Sequence, residues 1–181
     1  MKKDRTGIIF LIIALVGFVL IKVVPLVYSP APSHETGRIK VKTDSLIEAS
    51  PSFVKQGTAW FKAKNKETLA VIEIEIADTP SKVSKGLKNR KNMKENQGML
   101  FVFNEADTKS FGMKSTMIPL DIIYIRSDGV IDSFYKNTIP YSVKPLPSVG
   151  KVLYVLEVNG GFMDKFGIDK TARFDFNKLQ K

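Results

Sequence analysis

This chain of 181 residues has no cysteine and a single histidine, His34. The first absence excludes a disulfide framework, a thiolate nucleophile, a cysteine-held metal and a lipidated N-terminal cysteine. The second excludes a histidine metal pair and a Ser-His relay. His34 stands beside Glu35 in a polar stretch with no second candidate ligand near it, the setting of an exposed linker residue. Also missing are a phosphate loop, a glycine fingerprint opening a long helix, internal repeats and low-complexity tracts. Met93, Met99, Met113, Met117 and Met163 raise the idea of a thioether copper site, but their spacing has no local pattern and methionine commonly fills cores. The sequence therefore predicts no metal and no cofactor.

What is present begins with a long apolar run. From Gly7 to Tyr28 the chain offers about the ~20 residues needed to cross a bilayer, with Ile8 to Ile21 uncharged, Lys22 able to snorkel and Tyr28 suited to the interface. Lys2, Lys3 and Arg5 set the N-terminus in the cytoplasm by the positive-inside rule. The competing reading is a cleaved signal peptide, yet the run exceeds a usual signal core and Pro32 directly after Ala31 is a poor cleavage context. The expected organisation is a cytoplasmic tip and transmembrane anchor over residues 1–28, a tether over 29–57 marked by Pro30, Pro32 and Pro51, and an exported domain over 58–181. On either reading the domain is periplasmic or extracellular.

Acidic residues are few beside basic ones, 18 against 28, giving a formal net charge of +10. Residues 1–28 carry +3 of this and residues 29–57 carry +1, leaving +6 on the domain. The expected partners are the membrane, through residues 7–28, and an envelope component or a partner protein; outside the cytoplasm nucleic acid is not expected. The simplest reading of the lysines is a solvated face.

Within the domain, strand signals dominate. TAWFKAK and TLAVIEIEIA alternate around a KNKE turn, with Ile72, Ile74 and Ile76 opposite Val71, Glu73 and Glu75, which predicts a hairpin. Thr79-Pro80 is a helix start, cap followed by proline at the first helical position, for a short helix over Ser81 to Leu87. GMLFVF, LDIIYI, VIDSFYK, KVLYVLEV and ARFDF read as further strands, with Asp128-Gly129 as a hairpin turn. Pro140, Pro145 and Pro147 mark an extended strap, and Phe162 to Phe166 a second short helix ended by Gly167. The predicted fold is mainly β (a β-rich α+β domain): a small antiparallel, barrel-like sheet with two short helices, preceded by one transmembrane helix.

The motifs Gly86-Leu87 with Arg90, Gly98-Met99-Leu100-Phe101, Phe111 with Met113-Lys114 and Thr116, Pro119-Leu120-Asp121, and Leu156-Glu157-Val158-Asn159 before a glycine occur together. In this combination the chain resembles the family known as domain of unknown function 192, over roughly Ala70 to Phe176. The resemblance implies a small β-rich domain, often exported or anchored, and no established reaction. Gly112 and Ser115 depart from the pattern, which usually has tryptophan and asparagine there, and Asp169-Lys170 lacks the glycine of a Gly-Asp ending.

Two charges, Lys114 and Asp121, fall within the apolar run FGMKSTMIPLDIIYI, and a third, Glu157, within VLYVLEVN. A charge in such surroundings must reach water, find a partner or change its protonation. The expectation is an ion-paired cluster with Lys114 between Asp121 and Glu157 and Asn159 completing its hydrogen bonds. Met113, Lys114, Thr116, Asp121, Glu157 and Asn159 are thus the candidate ligand-binding residues. One reading makes the cluster a structural pin in a non-catalytic binding module for an envelope component or partner protein. The other makes Lys114, Asp121 and Glu157 catalytic candidates of a small hydrolase-like or transferase-like enzyme, with a carboxylate as general base and the lysine as electrostatic stabiliser. Tyr124, Tyr135, Tyr141 and Tyr154 with Phe101, Phe103 and Phe134 suggest a sugar-binding groove, against the usual fate of aromatics as core.

Overall fold

The computed structural model describes residues 50–180. The expected membrane segment, 7–28, and most of the tether lie outside the described residues. Among the described residues no helix is long and apolar enough to cross a membrane.

The first hairpin forms as its alternation dictates. β1 (Gly57–Lys62) and β2 (Thr68–Ala77) pair antiparallel, with Ile72 and Ile74 buried and Val71 exposed. Residues before β1 already belong to this body: the Gln56 backbone N–H donates to the Ile74 carbonyl at 2.8 Å, and the Gln56 side-chain oxygen accepts from Ile76 N at 2.7 Å. Helix α1 (Pro80–Lys85) starts at Thr79, whose hydroxyl accepts from Lys82 N. β3 (Gln97–Asp107) follows, then β4 (Ser110–Phe111), β5 (Leu120–Ile125), β6 (Ile131–Tyr135), β7 (Leu146–Pro147), β8 (Val152–Asn159), α2 (Phe162–Lys165) and β9 (Arg173–Lys178).

Seven strands make one sheet in the order β6-β5-β8-β3-β2-β1-β9, and β4 pairs with β7 in a separate two-stranded ribbon. Two expectations are corrected here. The sheet is mixed, because β2 and β3 run parallel; a helix lies between them in the chain, and a parallel pair requires such a crossover. Nor is the sheet a closed barrel. Its edge strand β9 meets the β5–β6 hairpin only at the isolated bridge Val130–Arg173, beside which Phe174 N donates to the Gly129 carbonyl at 2.9 Å. Gly129 makes that approach possible: it has φ +78°, and a Cβ there would lie 2.4 Å from the Phe174 carbonyl oxygen.

Core packs on both faces of the sheet, although the second face is open over β1, β2 and β9, where Val71 is exposed. One carries Phe61, Ile72, Ile74, Ile123, Leu156 and Phe174 against Phe162 and Met163 of α2; the other carries Met99, Phe101, Ile122, Tyr124 and Val155 against Leu87 and Met113. All six residues of β5 are buried, which explains why LDIIYI reads as a continuous apolar run. The β4–β7 ribbon brings Phe111 and Leu146 onto the second face, with Phe111 edge-on to Phe101 and Tyr124. Tyr124 is thus core, its hydroxyl donating to the Leu146 carbonyl.

Candidate functional site

Register decides which charges meet. Across the β5–β8 pair Ile122 stands opposite Glu157 and Asp121 opposite Val158. Opposed residues share a face and successive residues alternate, so Asp121 and Glu157 lie on opposite faces of the sheet. The expected three-charge cluster therefore does not form. Lys114 is exposed in a turn between buried Met113 and Ser115, whose φ is +64°. Asn159 is not a partner of Lys114 either: its amide donates to the carbonyls of Met93 at 3.1 Å and Lys94 at 2.9 Å, tying β8 to the loop before β3.

Asp121 is fully buried and fully engaged. Its carboxylate accepts backbone N–H bonds from Asn137 at 2.8 Å, Gly161 at 3.0 Å and Met163 at 2.8 Å. Helix α2 begins at Gly161, which has no side chain to cap it. Asp121 supplies from β5 the oxygen that a serine or aspartate at the N-cap would otherwise provide, and its charge suits a helix N-terminus. The geometry makes Asp121 a structural residue.

Glu157 has the opposite surroundings. It is 5% exposed, and desolvation alone pushes its carboxyl up from 4.5 to about 8. No hydrogen bond or ion pair holds the carboxyl among the described residues. Instead Glu157 borders a cavity of about 240 Å³, walled by Phe101 and Phe111, by Val83 to Lys88 at the end of α1, and by Ser110, Gly112 and Thr116. Thr116 is buried, whereas Ser84, Lys85 and Lys88 are exposed. A neutral carboxyl, hydroxyls and aromatic walls beneath a cationic rim can take a small polar group, donating or accepting hydrogen bonds at Glu157.

A second pair of charges shares that face. Glu75 lies beside Met99 and Met99 beside Glu157 across the parallel and antiparallel ladders, so the three form one row. Glu75 is already neutralised: its carboxylate accepts from Arg90 at 2.6 Å, with both side chains largely buried, and from Val54 N at 3.0 Å. The Arg90 Nε has no partner among the described residues. Of the candidates, then, Glu157 and Thr116 meet at the cavity. Met113 is buried next to it as core, within 3.1 Å of the Thr138 hydroxyl, while Asp121, Lys114 and Asn159 are elsewhere. Gly86, Leu87 and Phe111 of the walls stand among the sequence motifs, but nothing in the sequence brings the end of α1 and β4 over Glu157, because segments remote along the chain build the cavity.

A family model described as "Uncharacterized ACR", DUF192, matches residues 61–176. The chain belongs to this family. The match reaches back into β1, before the Ala70 start expected from the motifs. The DUF192 domain is also similar to two solved structures. One is a candidate transcription regulator from Sinorhizobium meliloti 1021, 31% identical over 69% of this chain and 98% of that one, with a TM-score of 0.65. The other is a protein of unknown function from Novosphingobium aromaticivorans DSM 12444, 32% identical over 71% of this chain and 94% of that one, with a TM-score of 0.64. No curated protein matches the chain.

The departures from the family pattern now have places in this DUF192 domain. Ser115 adopts the left-handed backbone that asparagine tolerates best, and its carbonyl accepts from Asn89 N at 2.9 Å, so that change falls on a turn. Gly112 borders the cavity, and a Cβ there would meet only the Lys144 carbonyl oxygen, at 4.0 Å.

Proposed function

We propose that this DUF192 domain is a membrane-tethered, extracytoplasmic binding module that takes a small polar group, free or at the end of an envelope component or partner protein, in the cavity above Glu157. The observation that carries this reading is the unpartnered, desolvated carboxyl bordering a cavity. Burying an acid without a partner costs stability, and such groups concentrate where a ligand or a reaction uses them. At about 240 Å³ the cavity is below the roughly 300–1,000 Å³ of drug-sized sites, which favours an occupant as small as one sugar ring or an amino acid. The apolar N-terminal run supports the exported location of this reading, and nucleic acid is not the proposed partner.

A second reading, a small hydrolase-like or transferase-like enzyme, is favoured by one fact: a carboxyl near pKa 8 can serve as a general acid or base around neutral pH. Against it, Asp121 faces away and Lys114 is outside the cavity, so Glu157 has no charged collaborator of the kind that reading expected.

The test is a thermal-shift screen of the full-length chain against amines, amides, amino acids and monosaccharides, repeated on Glu157→Leu. A compound that raises the Tm of the parent and not of the variant supports the binding reading. Shifts that are absent, or unchanged in Glu157→Leu, overturn it, and turnover of a binding compound moves the assignment to the enzyme. A reporter fused after Lys181 and active only when exported tests the address.

A further inference from the structure

A second recess lies where the sheet's two edges come together. The β1–β2 turn, the start of β9 and the segment before it enclose a groove of about 540 Å³ bordered by Lys62, Lys64, Lys66, Lys170 and Arg173, with Thr171 among them. No carboxylate of the described residues borders it. None of the five cations forms a salt bridge among the described residues, whereas the acids nearest in sequence are occupied: Asp169 accepts from both Thr171 N and Oγ1, and Glu67 from Asn65. Five cations without a salt-bridge partner among the described residues, in a domain with a net charge of +6, thus share one concave surface, although Lys170 also helps hold the Asp132 carboxyl below its usual range. Five like charges at close quarters repel one another, and an anion seated among them relieves that repulsion.

The groove has an aromatic continuation. Lys62 and Arg173 also border an adjoining recess of about 430 Å³ whose walls include Trp60, Tyr154 and Phe176. Trp60 is half-buried, and the Lys62 ammonium lies 5.9 Å from its ring centre. Asp128 and Asp175 border this second part, where hydroxyl-bearing ligands would find acceptors. Cations able to grip phosphate, with arginine offering its planar fork, therefore lead directly into an aromatic surface on which a sugar or polyol ring can lie.

We propose that this groove binds a soluble sugar-phosphate or polyol-phosphate chain, its phosphates on the five cations and a ring against Trp60. A bilayer surface fits less well: the cations line a recess, and none of the exposed large hydrophobic side chains of the described residues borders it. A protein lying on lipid would place apolar side chains beside its cations. The site shares no residue with the Glu157 cavity, so either stands if the other falls.

Trp60 is the chain's sole tryptophan, so its fluorescence reports on this groove directly. The full-length chain is titrated with inositol hexakisphosphate, a phosphorylated ring, and with inorganic tripolyphosphate, and binding is followed by Trp60 emission and by calorimetry. Both probes are expected to bind, more weakly as salt rises. Lys62→Gln/Arg173→Gln is expected to weaken both by at least about tenfold, removing two charge-assisted contacts. Lys91→Gln/Lys144→Gln, an equal charge change outside the groove, should cost less than about twofold. Trp60→Leu, followed by calorimetry, should weaken the ring-bearing probe and leave tripolyphosphate unchanged. Binding of neither probe, equal losses in the two double variants, or binding only to vesicles containing phosphatidylglycerol would each overturn the proposal. All the substituted lysines and Arg173 are exposed, and circular dichroism checks that each variant folds.

Discussion

Replacing Glu157 by glutamine, which keeps the shape and removes the titration, has a consequence that can be worked out from its burial. In the folded chain the carboxyl holds its proton up to about pH 8, whereas its ordinary value is 4.5. Between those values the folded state binds one proton more than the unfolded state, so stability falls as pH rises. The slope is about 1.4 kcal/mol per pH unit, the loss reaches about 3 kcal/mol at pH 7 and about 4 kcal/mol at pH 8, and it levels off above that at about 5 kcal/mol. The contribution is fully present below the unfolded value. Water entering the cavity reduces the figures without changing the sign.

Five other carboxyls contribute outside this window. Glu73, Asp78, Asp128, Asp132 and Asp169 are all shifted downward, with hydrogen bonds and cations offsetting burial, so their contributions are lost only as pH falls through the acid range. Urea unfolding of the parent and Glu157→Gln chains between pH 5 and pH 9 should show curves that diverge in favour of the variant up to about pH 8 and then run parallel. Parallel curves throughout would mean that Glu157 has a partner or free access to water, and the argument for a ligand cavity would fail with it.

Three further outcomes follow from the geometry. Asp121→Ala strips the acceptor from three backbone N–H groups and uncaps α2, and should cost at least about 3 kcal/mol in urea unfolding, while Lys114→Ala, in an exposed turn, should stay within about 0.5 kcal/mol. Arg90→Met leaves the Glu75 carboxylate buried without its cation and should cost about 3–5 kcal/mol, most of it recovered by adding Glu75→Gln, which keeps an acceptor for Val54 N. Gly129→Ala puts a Cβ against the Phe174 carbonyl at a positive φ and should lower stability by about 2 kcal/mol or more, whereas Gly112→Ala, with open space around it, should be close to neutral.

Local chemistry made much of the fold legible. The alternation in TLAVIEIEIA, the Thr79-Pro80 start and the Asp128-Gly129 turn each name a structure whose cause lies within a few residues, and each forms where expected. The parallel β2–β3 pair, the β4–β7 ribbon and the open seam in the barrel-like sheet were not legible, because each depends on segments far apart in the chain.

The expected three-charge cluster failed to form for the same reason at finer scale. Alternation assigns each of Asp121 and Glu157 to a face of its own strand, but only the register of β5 against β8 says whether those faces coincide, and a shift of one residue reverses the answer. Lys114 was misplaced by a turn whose left-handed Ser115 carries a serine instead of the usual asparagine or glycine signal. A clue to Asp121 did exist, since NGGFMDK opens a helix without a capping side chain and so calls for an acceptor from elsewhere. Two carboxyls with equally apolar neighbours thus reach different ends: three backbone donors satisfy Asp121, and none among the described residues satisfies Glu157. That difference, more than charge within a hydrophobic run, is what separates a structural acid from a candidate binding group.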